Sequence, residues 1–281
     1  MEKIKITCDS TCDLSPELVE KYDIEVLPLS ITLGDRIFAD GVDVHAEDVF
    51  AYAKESGSLP KTAAVSIGQY EDAFRRWTEQ GYRVIHINLS SELSSCYQNA
   101  CLAASEVGNV FPIDSRNLST ASGLLAIAAR ELADEGKSAE EIADAINACK
   151  GRLDASFILQ TLDYLKMGGR CSGVAALGAN LLKLRPEIIV DDGTMRVGRK
   201  YRGAKAQTVK DYVRGRLEGR TDIDCRRIVM TDSHLDPEIL AEARALILEL
   251  QPFEELLEVK AGCTISSHCG PECFGVLFFT K

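Results

Sequence analysis

Residues Val84–Gln98 read VIHINLSSELSSCYQ, and this stretch decides the fold. The apolar run Val84–Leu89 predicts a buried strand, and the serines that follow it lead into a helix with an apolar stripe. A strand that passes directly into a helix leaves unpaired backbone N–H groups at the helix start, and those donors, together with the helix dipole, favour an anion. Ser94 and Ser95 would add hydroxyl donors at this point. Ordinary N-capping by serine remains the alternative.

Outward from this stretch, strands alternate with helices through the first half of the chain. Ile4–Cys8 and Val110–Ile113 have the pattern of short strands, and Val26–Leu33 is extended and apolar. One helical stripe consists of Tyr70, Ala73, Phe74 and Trp77. Ser138 and Glu141 form a capping box for a further helix. Strands alternating with helices predict an α/β domain in residues 1–152, with a mainly parallel sheet between two helical layers.

The second half has a different pattern. Glu187–Val190 and Met195–Val197 flank Asp191-Asp192-Gly193, which predicts a hairpin with a tight turn. Further apolar strands are expected at Ile228–Thr231, Leu256–Lys260 and Phe274–Thr280. A hairpin combined with alternating strands and helices predicts an α/β domain with a mixed sheet in residues 153–281. We place the boundary near Lys150–Asp154 and expect the ligand cleft between the two domains.

The composition argues against several classes of protein. The chain of 281 residues is 46% hydrophobic, and 43 acidic against 32 basic residues give it a net charge of −11. An acidic surface disfavours nucleic acid as a partner. The longest apolar runs, Gly173–Leu182 and Phe274–Phe279, are far shorter than the ~20 residues of a membrane span. Met1–Thr7 is too short and too charged for the apolar part of a signal peptide. We therefore expect a cytoplasmic protein without a membrane span.

Ten cysteines would stay reduced in that compartment. No C-x-x-C pair occurs, and the spacing of Cys263, His268, Cys269 and Cys273 fits no standard zinc pattern. Neither a Walker A sequence nor a G-x-G-x-x-G sequence is present. We therefore predict no metal site and no cofactor, and we expect most of the cysteines to be small buried hydrophobic residues.

Three more polar residues stand beside small ones. Thr62, in PKTAAVS at residues 60–66, is either a helix cap or a ligand-binding hydroxyl, and His268, in SSHCGP at residues 266–271, is expected in a turn. Arg170 follows the helix-ending Gly168 and Gly169, as a carboxylate partner or a surface charge. A hydrolase with a Ser/His pair is conceivable, but no G-x-S-x-G elbow occurs and no acidic partner for His268 is evident.

In their order along the chain, these segments resemble the DegV family over residues 4–279. The matching motifs are Asp9–Leu18, Val26–Leu29, Asp40–Asp43, Ser90–Ala100, Asp114–Arg116, Leu162–Arg170, Arg202-Gly203 and His268–Pro271. Each motif is weak alone, and their joint order is highly specific.

The resemblance implies a two-domain α/β protein that is not itself an enzyme and holds a long-chain, palmitate-like fatty acid between its domains. Some family members are the acyl-binding subunit of bacterial fatty acid kinase, whose separate ATP-using subunit phosphorylates the bound carboxylate. By position, Thr62, Ser94, Ser95 and His268 match head-group residues, and Arg170 matches an arginine that orients the head group or docks the kinase subunit. A carrier of another acidic lipid and a lipid-ester hydrolase remain as alternatives.

Overall fold

A computed structural model describes residues 2–170 and 184–281, so that Cys171 and the apolar run Gly173–Leu182 lie outside the described residues. The strands are β1 (Ile4–Asp9), β2 (Ile24–Leu27), β3 (Ser30–Leu33), β4 (Arg36–Ala39), β5 (Lys61–Ala63), β6 (Arg83–Asn88), β7 (Val110–Asp114), β8 (Leu153–Ile158), β9 (Leu184–Asp191), β10 (Thr194–Arg202), β11 (Ile223–Asp232), β12 (Glu255–Lys260) and β13 (Phe274–Thr280). The helices are α1 (Pro16–Lys21), α2 (Ala46–Ser56), α3 (Ile67–Thr78), α4 (Cys96–Val107), α5 (Thr120–Asp134), α6 (Ala139–Cys149), α7 (Asp163–Gly168), α8 (Lys205–Leu217), α9 (Pro237–Leu250) and α10 (Cys263–Cys269). In the described part of the chain, none of the helices has the length and apolar character needed to cross a bilayer.

The N-terminal sheet is parallel, with the strand order β2-β1-β6-β7. Because successive strand residues point to opposite faces, Val84 packs with Tyr70 and Phe74 of α3, and Ile85 packs with α5 and α6. The predicted parallel sheet between two helical layers is confirmed.

The C-terminal sheet is mixed, with the strand order β10-β9-β8-β13-β11-β12. β11 and β12 run parallel, and the other neighbouring pairs run antiparallel. The predicted hairpin is β9–β10, whose turn places Asp192 and Gly193 at φ 44° and 82°. Positive φ at both central residues matches the twist of antiparallel strands, which explains the Asp-Gly sequence. The predicted mixed sheet is therefore confirmed.

A third sheet, which the sequence did not predict, consists of β4, β3 and β5 in that order. The expected continuous extended stretch Val26–Leu33 is wrong, because β2 ends at Leu27 in the parallel sheet and β3 begins at Ser30 in this small antiparallel one. Pro28 interrupts the stretch, since proline has no N–H group to donate to a strand ladder. The small sheet matters because it carries Thr62 on β5.

Helix α5 lies between the two large sheets and is buried along most of its length. Leu125 packs into the core of the parallel sheet, and Leu124 packs with Ala155 and Leu277 of the mixed sheet. β8 begins at Leu153, close to the expected boundary. The division into residues 1–152 and 153–281 stays a prediction, since the two halves share this buried helix.

Candidate functional site

A cavity of about 140 Å³ lies between the small sheet, the loop before α4, and α10. Its walls include all five residues that the sequence singled out, namely Thr62, Ser94, Ser95, Arg170 and His268. The other lining residues are Thr264 and nine apolar ones: Leu29, Ala63, Ala64, Leu89, Leu93, Leu118, Met195, Ile265 and Cys269. The fold thus collects the predicted polar residues at one apolar-walled site.

Thr62 and His268 form the closest polar pair of this cavity. Thr62 Oγ1 lies 2.9 Å from His268 Nε2, although 206 residues separate them in sequence. Ser66 caps α3, which removes the capping alternative for Thr62. The expectation that His268 lies in a turn is wrong, because it belongs to the last turn of α10. The turn begins only at Gly270, whose φ of 77° ends the helix.

The second ring nitrogen of His268, Nδ1, is buried and has no hydrogen-bond partner among the described residues. It faces Gly168 so closely that a Cβ atom on that residue would lie 2.4 Å away. Burial, and secondly the charge of Arg170, lowers the pKa of His268 to about 4. The imidazole is therefore neutral at neutral pH.

The hydrogen-bond network assigns the proton of this neutral ring to Nε2. Orphaned buried N–H groups are rarer than orphaned acceptors, so the unpartnered Nδ1 is better left without a proton. In that tautomer the Nε2–H of His268 donates to Thr62 Oγ1. The hydroxyl proton of Thr62 is then free to point into the cavity as a donor.

The serine segment before α4 caps the helix and also lines the cavity. Ser94 Oγ accepts a hydrogen bond from the backbone N–H of Cys96 at 3.2 Å, and it also lines the cavity. Ser95 is the N-cap residue of α4, but its side chain makes no capping bond and is exposed at the cavity. Capping therefore uses Ser94, and the exposed hydroxyl of Ser95 has no part in it.

Arg170 lies at the rim of the cavity and is exposed. Its Nη1 donates to the carbonyl oxygen of Gly168 at 2.6 Å. This bond turns the side chain back over its own loop, beside His268. A positive charge therefore borders the cavity, close enough to contribute to the lowered pKa of His268.

A second, apolar cavity of about 20 Å³ adjoins the first one. The two share Leu118, Ile265 and Cys269, and the second reaches Phe157 and Leu277 of the mixed sheet. We call them the outer and the inner cavity. Together they offer polar donors at one end and an apolar wall at the other.

The comparisons with known proteins identify the family. A family model described as uncharacterised DegV family proteins matches residues 3–281. The chain belongs to the DegV family. A DegV domain-containing protein of Clostridium acetobutylicum is 34% identical, and the alignment covers 100% of both chains.

Solved structures of DegV proteins have the same fold. A DegV family protein from Thermus thermophilus, described by its fatty acid binding, has a TM-score of 0.87 and 29% identity, with 99% of this chain and 100% of the other covered. A stearic-acid-binding protein from Eubacterium ventriosum has a TM-score of 0.83 and 28% identity, with coverage of 100% and 99%. Proteins similar to this chain are thus described as binding fatty acids.

Some DegV motifs line the cavity, and another holds its walls together. Residues of Ser90–Ala100 and His268–Pro271 form its walls. Arg116, from a third motif, is absent from the lining and instead bonds to Asp192 at 3.2 Å and to Glu92 at 3.0 Å. It therefore ties the serine loop to the turn of the β9–β10 hairpin, whose second strand lines the cavity.

Sequence reasoning missed the role of Gly168 in this DegV chain. Of the two glycines expected to stop α7, Gly169 does so, with φ 68°. Gly168 instead leaves room for the His268 ring. Nothing in the local sequence distinguishes the two glycines, because the neighbour that needs the space lies 100 positions further along the chain. Thr264 was also missed, and a helix assignment for Cys263–Cys269 would have placed it one turn before His268.

Proposed function

We propose that the protein binds a long-chain, palmitate-like fatty acid, with the carboxylate in the outer cavity and the hydrocarbon chain in the inner one. The observation that carries this proposal is the Thr62–His268 pair at a cavity that continues into an apolar one. The fatty-acid binding described for similar solved structures supports the same class of ligand. Donors at one end and apolar walls at the other match the two ends of such a molecule.

Burial of the hydrocarbon chain would supply most of the affinity. At ~0.8 kcal/mol per methylene, about fifteen methylenes offer roughly 12 kcal/mol before the costs of association. The inner cavity, at about 20 Å³, has room for about one water-sized sphere. Side chains on its wall, such as Leu118 and Ile265, must therefore move apart when the chain enters.

The donors of the outer cavity would orient the carboxylate. Because His268 Nε2–H donates to Thr62 Oγ1, the Thr62 hydroxyl can donate to a carboxylate oxygen. Because His268 is neutral, it orients the Thr62 hydroxyl but adds no positive charge to the site. Arg170 contributes the positive charge beside the cavity, and Ser94 and Ser95 contribute further hydroxyl groups.

The carboxylate would be presented to a separate ATP-using kinase subunit in the cytoplasm. Ser95 and Arg170 are exposed beside the cavity, which lets a second protein reach the head group. A carboxylate oxygen would attack the γ-phosphorus of ATP, giving an acyl phosphate and releasing ADP. The sequence has neither a Walker A nor a G-x-G-x-x-G phosphate loop of its own, which favours a partner for this step.

A lipid-ester hydrolase with a Ser/His pair is less well supported. A catalytic histidine base is usually oriented by a carboxylate on its second nitrogen. Nδ1 of His268 has no such partner in residues 2–170 and 184–281. We therefore favour binding over hydrolysis, and ester cleavage that His268→Ala abolishes would reverse that preference.

Native mass spectrometry and ligand titration test the proposal. We expect the purified protein to carry a fatty acid, and we expect Thr62→Val with Ser94→Ala to weaken palmitate binding about tenfold or more, since two bonds to a charged group are lost. Addition of a fatty acid kinase ATP-using subunit should yield ADP in a fatty-acid-dependent manner with the unmodified protein.

The matched control is Thr78→Val with Ser105→Ala, the same two changes on the outer helices α3 and α4. This variant should keep the original affinity. A native chain without bound or bindable fatty acid would contradict the proposed ligand, and equal affinities of the two double variants would contradict the assigned residues.

A further inference from the structure

Asp40 holds the start of α10 with its carboxylate. The residue follows β4 and is buried, with 4% of its surface exposed. Its Oδ1 accepts a hydrogen bond from the backbone N–H of Cys263 at 3.0 Å. Its Oδ2 accepts from the N–H of Thr264 at 3.2 Å and from the Thr264 hydroxyl at 2.6 Å. Three donors thus come from the first two residues of the helix that carries His268 one turn later.

The same carboxylate is connected to the opposite wall of the outer cavity. Ser10 Oγ donates to Asp40 Oδ2 at 3.0 Å and accepts from the backbone N–H of Leu29 at 3.1 Å. The backbone N–H of Asp40 donates to the carbonyl oxygen of Leu29 at 2.9 Å. Leu29 lines the cavity just before β3, and β3 pairs with Thr62 through Ile31. Asp40 therefore joins the sheet of Thr62 to the helix of His268.

We propose that Asp40 is a positioning residue of the head-group site, which fixes α10 against the small sheet and so sets the contact between Thr62 and His268. The inference rests on the proposed function, since it concerns the geometry of that same site. The carboxylate already accepts four hydrogen bonds, so it acts through the helix instead of touching the ligand. A helix of seven residues has few internal bonds, so external bonds at its start decide where it lies.

Asp13 offers a matched comparison at the same end of α10. Its Oδ1 accepts from the backbone N–H of Gly262 at 2.9 Å, and its Oδ2 accepts from Ser119 Oγ at 2.6 Å. Burial raises the pKa of Asp13 to about 8, so it is largely protonated at neutral pH. In that form its O–H donates to Ser119 Oγ, whose hydroxyl can rotate to accept, and an asparagine NH2 group can donate there in the same way. In Asp40→Asn, by contrast, the amide NH2 group would meet a backbone N–H donor in either orientation. It would face Cys263 N–H at the Oδ1 position, or the three donors now bonded to Oδ2.

A double-mutant cycle on palmitate binding tests the role of Asp40. We expect Asp40→Asn to weaken binding about tenfold. In a Thr62→Val background the same substitution should cost less than about twofold, because the contact that Asp40 positions is already gone. Asp13→Asn should stay within about twofold of the original affinity. The ring ¹⁵N shifts of His268 should change in Asp40→Asn and not in Asp13→Asn.

Two results would overturn the proposal. One is a folded Asp40→Asn protein with unchanged affinity and unchanged His268 shifts, and the other is an equal loss with and without Thr62, which a general structural defect would produce. If circular dichroism shows that Asp40→Asn does not fold, Thr264→Val replaces it in the same double-mutant cycle. This substitution removes the hydroxyl that donates to Asp40, and we expect palmitate binding to weaken about threefold. If the unmodified chain binds no fatty acid, the proposed function fails, while the His268 shifts still decide the positioning role.

Discussion

Two histidines of this protein each lie beside a threonine hydroxyl, but their surroundings differ. His86 Nδ1 lies 2.7 Å from Thr7 Oγ1, and its Nε2 lies 3.2 Å from Asp9 Oδ1, with no part of the residue exposed. His268 has one nitrogen on Thr62 and the other without a partner in the described part of the chain, and it faces a cavity.

The difference shows that residue types and distances alone do not define a site. Thr7, His86 and Asp9 have the identities of a hydroxyl–imidazole–carboxylate triad, but the core encloses them and both ring nitrogens are bonded. His268 lacks the carboxylate, yet it has an unsatisfied buried atom and space beside its threonine. A hydroxyl donor that can point into a cavity, as that of Thr62 can, indicates a ligand better than a complete but sealed network does.

The sealed network still contributes to the site through the backbone. Asp9 Oδ2 accepts from the N–H of Leu89 at 2.8 Å, and Leu89 lines the outer cavity at the start of the serine loop. Tyr70 packs against His86 with ring centroids 5.1 Å apart and donates to Asp9 at 2.5 Å. The core network thus fixes the loop that carries Ser94.

The largest effect is expected from alanine at each of the two histidines. His86→Ala removes the side-chain partner of the buried Thr7 hydroxyl and one of the partners of Asp9, and it leaves a cavity beside Tyr70. We therefore expect it to lower the free energy of unfolding by about 3 to 5 kcal/mol. His268→Ala should cost less than about 1 kcal/mol, because one of its nitrogens is already unsatisfied, but it should weaken fatty acid binding. Urea denaturation of both variants measures the difference in stability, and palmitate titration measures the difference in binding. A stability loss of similar size in both would show that the contrast between the sealed and the open histidine is false.

Much of the fold could be predicted from sequence, because local patterns determine β6, the helices with apolar stripes, and the β9–β10 hairpin. The small sheet could not, since β3, β4 and β5 are three or four residues long. β3 and β4 form a short hairpin, but β5 pairs with β3 only across residues 34–60. The sealed triad also escaped prediction. It depends on the register of β1 against β6, which sets Thr7 opposite His86 and which no local signal gives.

The site was predicted mostly by resemblance and only partly by physics. The helix start after β6 pointed to Ser94 and Ser95 through its unpaired N–H groups. Thr62, Arg170 and His268 had no local signal above ordinary structural roles and were singled out by their match to DegV motifs. Their meeting at one cavity depends on contacts between the two halves of the chain, such as Asp40 with α10.

An intermediate effect is expected at Gly168, which gives the open histidine its space. Gly168→Ala would place a Cβ atom 2.4 Å from His268 Nδ1, so the ring must shift and its contact with Thr62 must change. We expect palmitate binding to weaken about tenfold, with a small loss of stability. Gly68→Ala is the control, because this helical glycine has open space where the Cβ would lie. Equal affinities of the two variants would show that the position of His268 does not matter for binding.

The smallest effect is expected from pH. The pKa of His268 is lowered to about 4, first by burial and then by Arg170, so its ring ¹⁵N shifts should stay constant between roughly pH 5.5 and pH 8. A lowered pKa means that the folded state binds fewer protons than the unfolded state. The contribution of His268 to stability is therefore constant above its usual pKa of 6.5 and falls as the pH drops towards 4.

Arg170→Gln should raise the pKa of His268 slightly but leave it below 6.5, since burial is the larger cause. A ring that titrates near 6.5 in the folded protein would mean that His268 is as open to water as a surface histidine. That result would contradict the assignment of His268 as a neutral ring whose Nε2–H donates to Thr62.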